Sequence, residues 1–285
     1  MVLMCARTQL PYPTPAAAVI DSLLLAAARV GTFEHDRGLT NASGFFFLRD
    51  ERLFLVTSRH VLVDEPSKHH PNRIEIELHT DAADLGKSTG LSMLLFADGK
   101  SCWRQGRDAG GEIDVAVIEL DRSALPVGVL LSAFTPGHLV GASSAQDGHS
   151  GVEVGSSLLI VGFPLGFHDT LHHLPVVRQA ALATAFGLRF QGEGYFLTDA
   201  RTHRGTSGAP VVMRDTSAGA DPALPWKLLG VHSGRLDMKT RDLVQDESLG
   251  LNMAWYADIL MTLTAPGTVS NVDGVVEAAG GSDLS

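Results

Sequence analysis

Cysteine is almost absent from this sequence, with two in 285 residues, Cys5 and Cys102. So few thiols supply no disulfide framework, and the fold must rest on its core. Basic charge is also short, with 22 Lys and Arg against 32 Asp and Glu, a net charge of −10 and a pI near 5.6. That balance argues against nucleic acid and anionic membrane surfaces as primary partners, because both demand a positive field. No stretch reaches the roughly 18 uninterrupted apolar residues of a membrane helix. The nearest, residues 16–28, is broken by Asp21 and Ser22, follows Pro11, Pro13 and Pro15, and has no basic cluster before it. It makes a poor signal peptide, so the expected compartment is the cytoplasm. Sustained helical periodicity is rare, and no repeat of fixed period occurs.

Apolar residues make up 45% of the chain and charged ones 19%, with a mean hydropathy of +0.12, enough to bury a large core. Short runs rich in β-branched and aromatic residues recur between turn signals at residues 26–33, 44–48, 53–58, 73–78, 91–96, 115–120, 158–163, 176–186, 194–198, 209–213, 226–232 and 249–254. The chain therefore reads as mostly β. The Gly- and Ser-rich stretch 135–151 divides these strands six and six, and 214–225 forms a second long loop. Residues 1–24 form a lead-in and 25–134 the first half. Residues 135–151 serve as linker and 152–254 as the second half. A helix over 255–265 is expected to cap that second half, stopped by Pro266 and Gly267, and 266–285 is expected to be a disordered tail.

The chemistry concentrates in Arg204-Gly205-Thr206-Ser207-Gly208-Ala209-Pro210, which leads into an apolar strand. Glycines on either side of a serine let the backbone turn tightly and bring amide N–H groups beside its oxygen, as a nucleophile needs. The same pattern also suits an ordinary turn. A serine hydroxyl is weak at neutral pH without a base. Among twelve histidines, His60 stands at the exit of the buried-strand pattern Phe54-Leu55-Val56-Thr57-Ser58, although a core or surface histidine fits there too. Asp114 directly precedes Val115-Ala116-Val117-Ile118. Buried, it could accept the second imidazole N–H; solvated, it would simply open a strand.

Taken together these segments resemble the trypsin-like serine peptidases of the chymotrypsin fold, in particular the HtrA/Deg-type and glutamyl-endopeptidase-like bacterial branches. The order His60, Asp114, Ser207 matches that type and not the subtilisin or α/β-hydrolase orders. Gly44-Phe45-Phe46, Val56 to Val61, Asp114 to Val117, Val161 to Gly166 and Thr198 to Ser207 resemble the family's motifs in sequence. The resemblance spans roughly residues 25–265. It implies an all-β fold of two six-stranded antiparallel barrels with a carboxy-terminal helix and the site between them. It also implies peptide-bond hydrolysis through an acyl-enzyme, with Ser207 as nucleophile, His60 as base and Asp114 as its holder. The amides of Gly205 and Ser207 would form the oxyanion hole, and no metal or organic cofactor is needed. The adjacent pairs His69-His70 and His172-His173 do not suggest chelation, since strand neighbours point to opposite faces.

Departures from the family narrow these expectations. Thr206 stands where digestive enzymes carry an aspartate, and no Ile-Val-Gly-Gly activation site is present, so that kind of zymogen cleavage is not expected. No PDZ domain follows the helix, so control by one is not expected. The family's primary pocket corresponds to Arg201, Thr202 and His203, then His232, Ser233 and Gly234. Thr202 and His232 match the pair that binds an acidic P1 side chain in glutamyl endopeptidases; the alternative is a structural histidine beside a small-residue pocket. The expected partner is a peptide or protein substrate, with a regulatory protein as a further partner if the enzyme is latent. A non-catalytic peptide-binding module is the remaining alternative, which intact motifs disfavour.

Overall fold

The apolar alternation that marks the strands sorts into three buried layers. The computed structural model describes residues 20–108, 111–140, 151–237, 248–266 and 275–277. The lead-in up to residue 19 with Cys5, most of the expected linker, and the tail apart from 275–277 lie outside the described residues. Cys102 is free and exposed. Among the described residues no helix is long and apolar enough to cross a membrane.

The first half contains β1 (Ala27–Glu34), β2 (Arg37–Arg49), β3 (Arg52–Thr57), β4 (Arg73–His79), β5 (Ser88–Leu94), β6 (Phe96–Ala97), β7 (Lys100–Ser101), β8 (Trp103–Asp108) and β9 (Gly111–Leu120). A single turn of helix, α1 (Arg59–Leu62), follows β3. The second half contains β10 (Ser157–Gly162), β11 (Val176–Leu182), β12 (Tyr195–Asp199), β13 (Pro210–Arg214), β14 (Trp226–Asp237) and β15 (Ser248–Tyr256), followed by α2 (Ile259–Leu263) and β16 (Val275–Glu277).

The second half is the expected six-stranded barrel, closed in the order β10-β11-β12-β15-β14-β13. The first half differs in strand number: it is an eight-stranded sheet in the order β16-β8-β9-β3-β2-β1-β4-β5. Two of its strands carry no clear signal. In β8 the run Trp-Arg-Gln-Gly-Arg-Asp buries Trp103 and Gln105 on one face, so a period of two is present but not apolar. β16 pairs in parallel with β8 and falls within the tail expected to be disordered.

Period-two alternation gives each half its own core and lends the opposite faces to a shared one. On β3, Leu53 and Leu55 enter the core of the first half, while Phe54 and Val56 turn to the shared layer. On β9, Ala116 and Ile118 enter the first, and Val115 and Val117 the shared one. Val161, Val212, Leu228 and Val231 meet them from the second half, whose own core holds Leu158, Ile160, Phe196 and Leu229. Each fully buried residue of this size contributes about 1.5–3 kcal/mol of transfer free energy, so the shared layer binds the halves as firmly as a domain core would.

The carboxy-terminal helix is shorter than expected and sits elsewhere. Trp255 and Tyr256 remain in β15, paired with Val231 and Gly230, so the helix begins at Ile259. It packs on β8 and β9 of the first half and does not cap the second barrel. Gly106 of β8 leaves room for Ile259 and Leu263, whose Cδ atoms lie 3.5 Å from where its Cβ would stand. Arg49 and Arg104 donate to the Met261 and Leu263 carbonyls at 2.6 and 3.2 Å, satisfying helix-end acceptors with cationic donors.

Candidate active site

Two loops and a strand converge at the seam between the halves. The first is the turn after β3. Val61 N–H and Val63 N–H close it onto the Ser58 and Arg59 carbonyls, and it carries His60. Arg59 clamps it from outside, with Nε 2.6 Å from Gln105 Oε1 of β8 and Nη2 2.9 Å from Glu112 Oε2 of β9. Gln105 belongs to no motif, and Arg59 stands at a variable position of the Val56 to Val61 motif, so neither role is visible in the sequence.

Asp114, on β9, receives His60 twice. The His60 amide donates to Oδ1 at 2.8 Å, and the His60 Nδ1 lies 2.7 Å from Oδ2. An ionised carboxylate only accepts, so Nδ1 carries the proton and Nε2 keeps its lone pair toward the cleft side. Burial resists protonation of His60, but the hydrogen bond and charge of Asp114 outweigh it, and the imidazole pKa lies above its ordinary 6.5. Ser233 Oγ donates to the same Oδ2 at 2.5 Å. Ser233, expected to line the primary pocket, thus holds the carboxylate.

The Ser207 loop is shaped by its glycines and by Ser43 of β2. Gly205 and Gly208 have φ of 88° and 85°, a region side chains rarely adopt. A Cβ on Gly205 would stand 2.7 Å from the Phe163 carbonyl, and one on Gly208 would overlap the Ser43 carbonyl and Thr57 Oγ1. The fully buried Ser43 hydroxyl donates to the Gly205 carbonyl at 2.7 Å and accepts from the Phe163 amide at 2.9 Å. The Ser43 amide donates to the Ser207 carbonyl at 2.9 Å, and the Gly208 amide to the His232 carbonyl at 2.7 Å. The Leu165 amide donates to the Arg204 carbonyl at 2.6 Å. All described peptides are trans, so this bond turns the Gly205 N–H away from Leu165. Neither the Gly205 nor the Ser207 amide donates a hydrogen bond among the described residues.

His60, Gly205 and Ser207 line one cavity of about 590 Å³, with Arg37, Lys68 and Arg204 among its cationic walls. The Ser207 hydroxyl donates to the Ser233 carbonyl at 2.9 Å, and no hydrogen bond joins it to His60 among the described contacts. A serine rotor is a single torsion, so turning it toward His60 is a fast local step.

The remaining pocket candidates separate. Arg201 is exposed, while Thr202 and His232 are buried and His203 and Gly234 intermediate. The Thr202 hydroxyl is engaged by Asn252 Oδ1, whose amide donates to the Ala200 carbonyl at 2.7 Å. His232 Nδ1 is buried with no hydrogen-bond partner. Burial, assisted by the nearby His60, lowers the His232 pKa to about 4, so the ring is neutral at physiological pH. Its unfolded value is near 6.5, so the unfolded chain takes up this proton first and stability falls as pH drops from 6.5 toward 4. The difference in unfolding free energy between the wild type and His232→Leu should shrink by about 3 kcal/mol from pH 7 to pH 4 in denaturant titrations. A difference that stays flat with pH would show that His232 is not buried neutral.

A family model described as trypsin-like peptidase domain matches residues 42–218. No curated protein matches. Among solved structures, a serine endoprotease from Yersinia pestis shares 17% identity at a TM-score of 0.48, covering 84% of this chain and 61% of that one. The Rv3671c Ser343Ala mutant of M. tuberculosis H37Rv, in an inactive form, shares 15% at a TM-score of 0.46, covering 92% and 98%. A scabies mite inactivated protease paralogue, S-I1, shares 17% at 0.48, covering 82% and 91%. The chain spans about three fifths of the Yersinia protein's length.

Proposed function

The chain belongs to the trypsin-like peptidase domain family, and from that premise we propose that it is a serine endopeptidase with Ser207 as nucleophile, His60 as general base and Asp114 as the group that orients the base. The observation that carries this reading is the His60–Asp114 pair, 2.7 Å apart, beside a cavity that Ser207 and Gly205 also line. In the reaction the Ser207 hydroxyl swings from the Ser233 carbonyl to His60 Nε2 and attacks the substrate carbonyl as its proton passes to the imidazole. The tetrahedral oxyanion is received by the free amides of Gly205 and Ser207, each worth about 3–4 kcal/mol of transition-state stabilisation. Protonated His60 then gives its proton to the leaving amine, and a water activated by the same imidazole releases the acyl group. No step calls on a cofactor.

The unpartnered His232 Nδ1 supports a preference for acidic P1 side chains, since a carboxylate there would meet a buried group short of a partner. Arg201, Thr202, His203 and Gly234 are proposed to complete that pocket. A proteome-derived peptide library digested by the wild type beside Ser207→Ala, with products read by mass spectrometry, tests these together. Cleavage after Glu or Asp that needs Ser207 is the expected result. Ser207-dependent cleavage after aliphatic residues alone would remove the acidic pocket, and equal cleavage by both chains would overturn the assignment of Ser207.

A further inference from the structure

Outside the cleft, three ligand-type side chains meet where β4 of the first half faces the loop that follows β10. Glu77, His168 and His173 each bring one donor atom to a common point, all within 4.8 Å of one another. The arrangement is prepared on every side. His168 Nδ1 lies 2.7 Å from the Gly166 carbonyl, which can only accept, so the proton stands on Nδ1 and the Nε2 lone pair is free. Backbone-anchored imidazoles of this kind are the usual state of a metal-ligating histidine. Arg29 Nη2 holds Glu77 Oε2 at 3.1 Å, and Ser88 Oγ donates to Oε1 at 2.8 Å. His173 Nδ1 stands 2.8 Å from that same Oε1. The Glu77 and His173 side chains are 20% and 24% exposed, open enough for an ion to enter.

We propose that Glu77, His168 and His173 form a binding site for a zinc-type divalent cation, through Glu77 Oε1, His168 Nε2 and His173 Nδ1, with water in the fourth position. Two imidazoles and one carboxylate are the donors that borderline transition metals take, whereas calcium requires six to eight oxygens. Bonds of about 2.0–2.2 Å in a tetrahedron place ligand atoms roughly 3.3–3.5 Å apart, a spacing that small side-chain rotations supply here. The entering ion takes the place of the His173 Nδ1 proton, which passes through water to Nε2, so that a neutral imidazole binds through Nδ1. Residue spacing alone does not reveal this site: of the adjacent histidines 172 and 173 only the second takes part, and the carboxylate comes from the other half of the chain. The site does not depend on Ser207 being a nucleophile.

Calorimetric titration of the chelator-treated full chain with zinc chloride tests it, with cobalt(II) as a coloured probe of coordination. The wild type should bind about one equivalent saturably and give the visible bands of tetrahedral cobalt. His168→Ala and His173→Ala should each weaken zinc binding by about tenfold or more while leaving the circular dichroism spectrum unchanged. Glu77→Gln also loosens Arg29, so the histidine variants decide. A wild type without saturable binding, or histidine variants that both bind within tenfold of it, overturns the site.

Discussion

Ser207→Ala and His60→Ala should each lower kcat by about six orders of magnitude, and the double variant should be no slower than either alone. The reason is that the two side chains perform one act. Without the base, the hydroxyl keeps its proton and cannot attack; without the hydroxyl, the base has nothing to deprotonate. The residual rate belongs to the Gly205 and Ser207 amides and to substrate binding, which neither substitution removes. The measurement is steady-state hydrolysis of a fluorogenic peptide chosen from the library products, paired with fluorophosphonate labelling. Labelling that survives Ser207→Ala would place the nucleophile elsewhere, and strictly multiplicative losses would show that the two residues act apart.

Asp114→Asn is expected to lower kcat by about 10⁴-fold in a chain that folds normally. The carboxamide is nearly isosteric, but it presents an N–H₂ group where the carboxylate presented only lone pairs. If that group faces His60, Nδ1 must accept, the imidazole proton moves to Nε2, and the nitrogen facing Ser207 can no longer take a proton. The pH profile carries a second signature. In the wild type, activity rises as His60 loses its proton, at a pH above 6.5 because Asp114 favours the imidazolium against the opposing effect of burial. Removing that charge lowers the His60 pKa, so the remaining activity of Asp114→Asn should gain its rising limb at lower pH. A variant within tenfold of wild type, with an unshifted limb, would remove Asp114 from the mechanism.

The parts of the fold and site legible in the sequence are those where one residue type answers one local demand. Gly205 and Gly208 sit at positive φ against backbone neighbours, a position with few alternatives to glycine, so their spacing around a serine was informative. Buried strands such as β3 and β10 are continuous apolar runs because both faces are covered, one by the core of their own half and one by the shared layer. Strand β8 is hidden because Arg104 separates Trp103 from Gln105, Gly106 and Arg107 follow, and a buried glutamine satisfied by Arg59 does not look like core. For the carboxy-terminal helix, amphipathic spacing gives an apolar face but not the address of the surface that covers it. Ser43 and Ser233 were illegible in their supporting roles. A single hydroxyl acquires such a role only when distant backbone groups arrive beside it, and neither neighbour is near in sequence.

Ser43 also ties the completion of the Ser207 loop to the order in which the chain is made. It belongs to the half synthesised first, yet its hydroxyl and amide tie together Phe163, Gly205 and Ser207 of the half synthesised last. A ribosome-bound fragment ending before the linker therefore holds the His60–Asp114 pair without Ser207, and the later half alone holds a Ser207 loop that has lost its brace. On the proposed reading, hydrolysis waits until translation has supplied both halves and they have docked, which keeps an unfinished chain from acting on its surroundings.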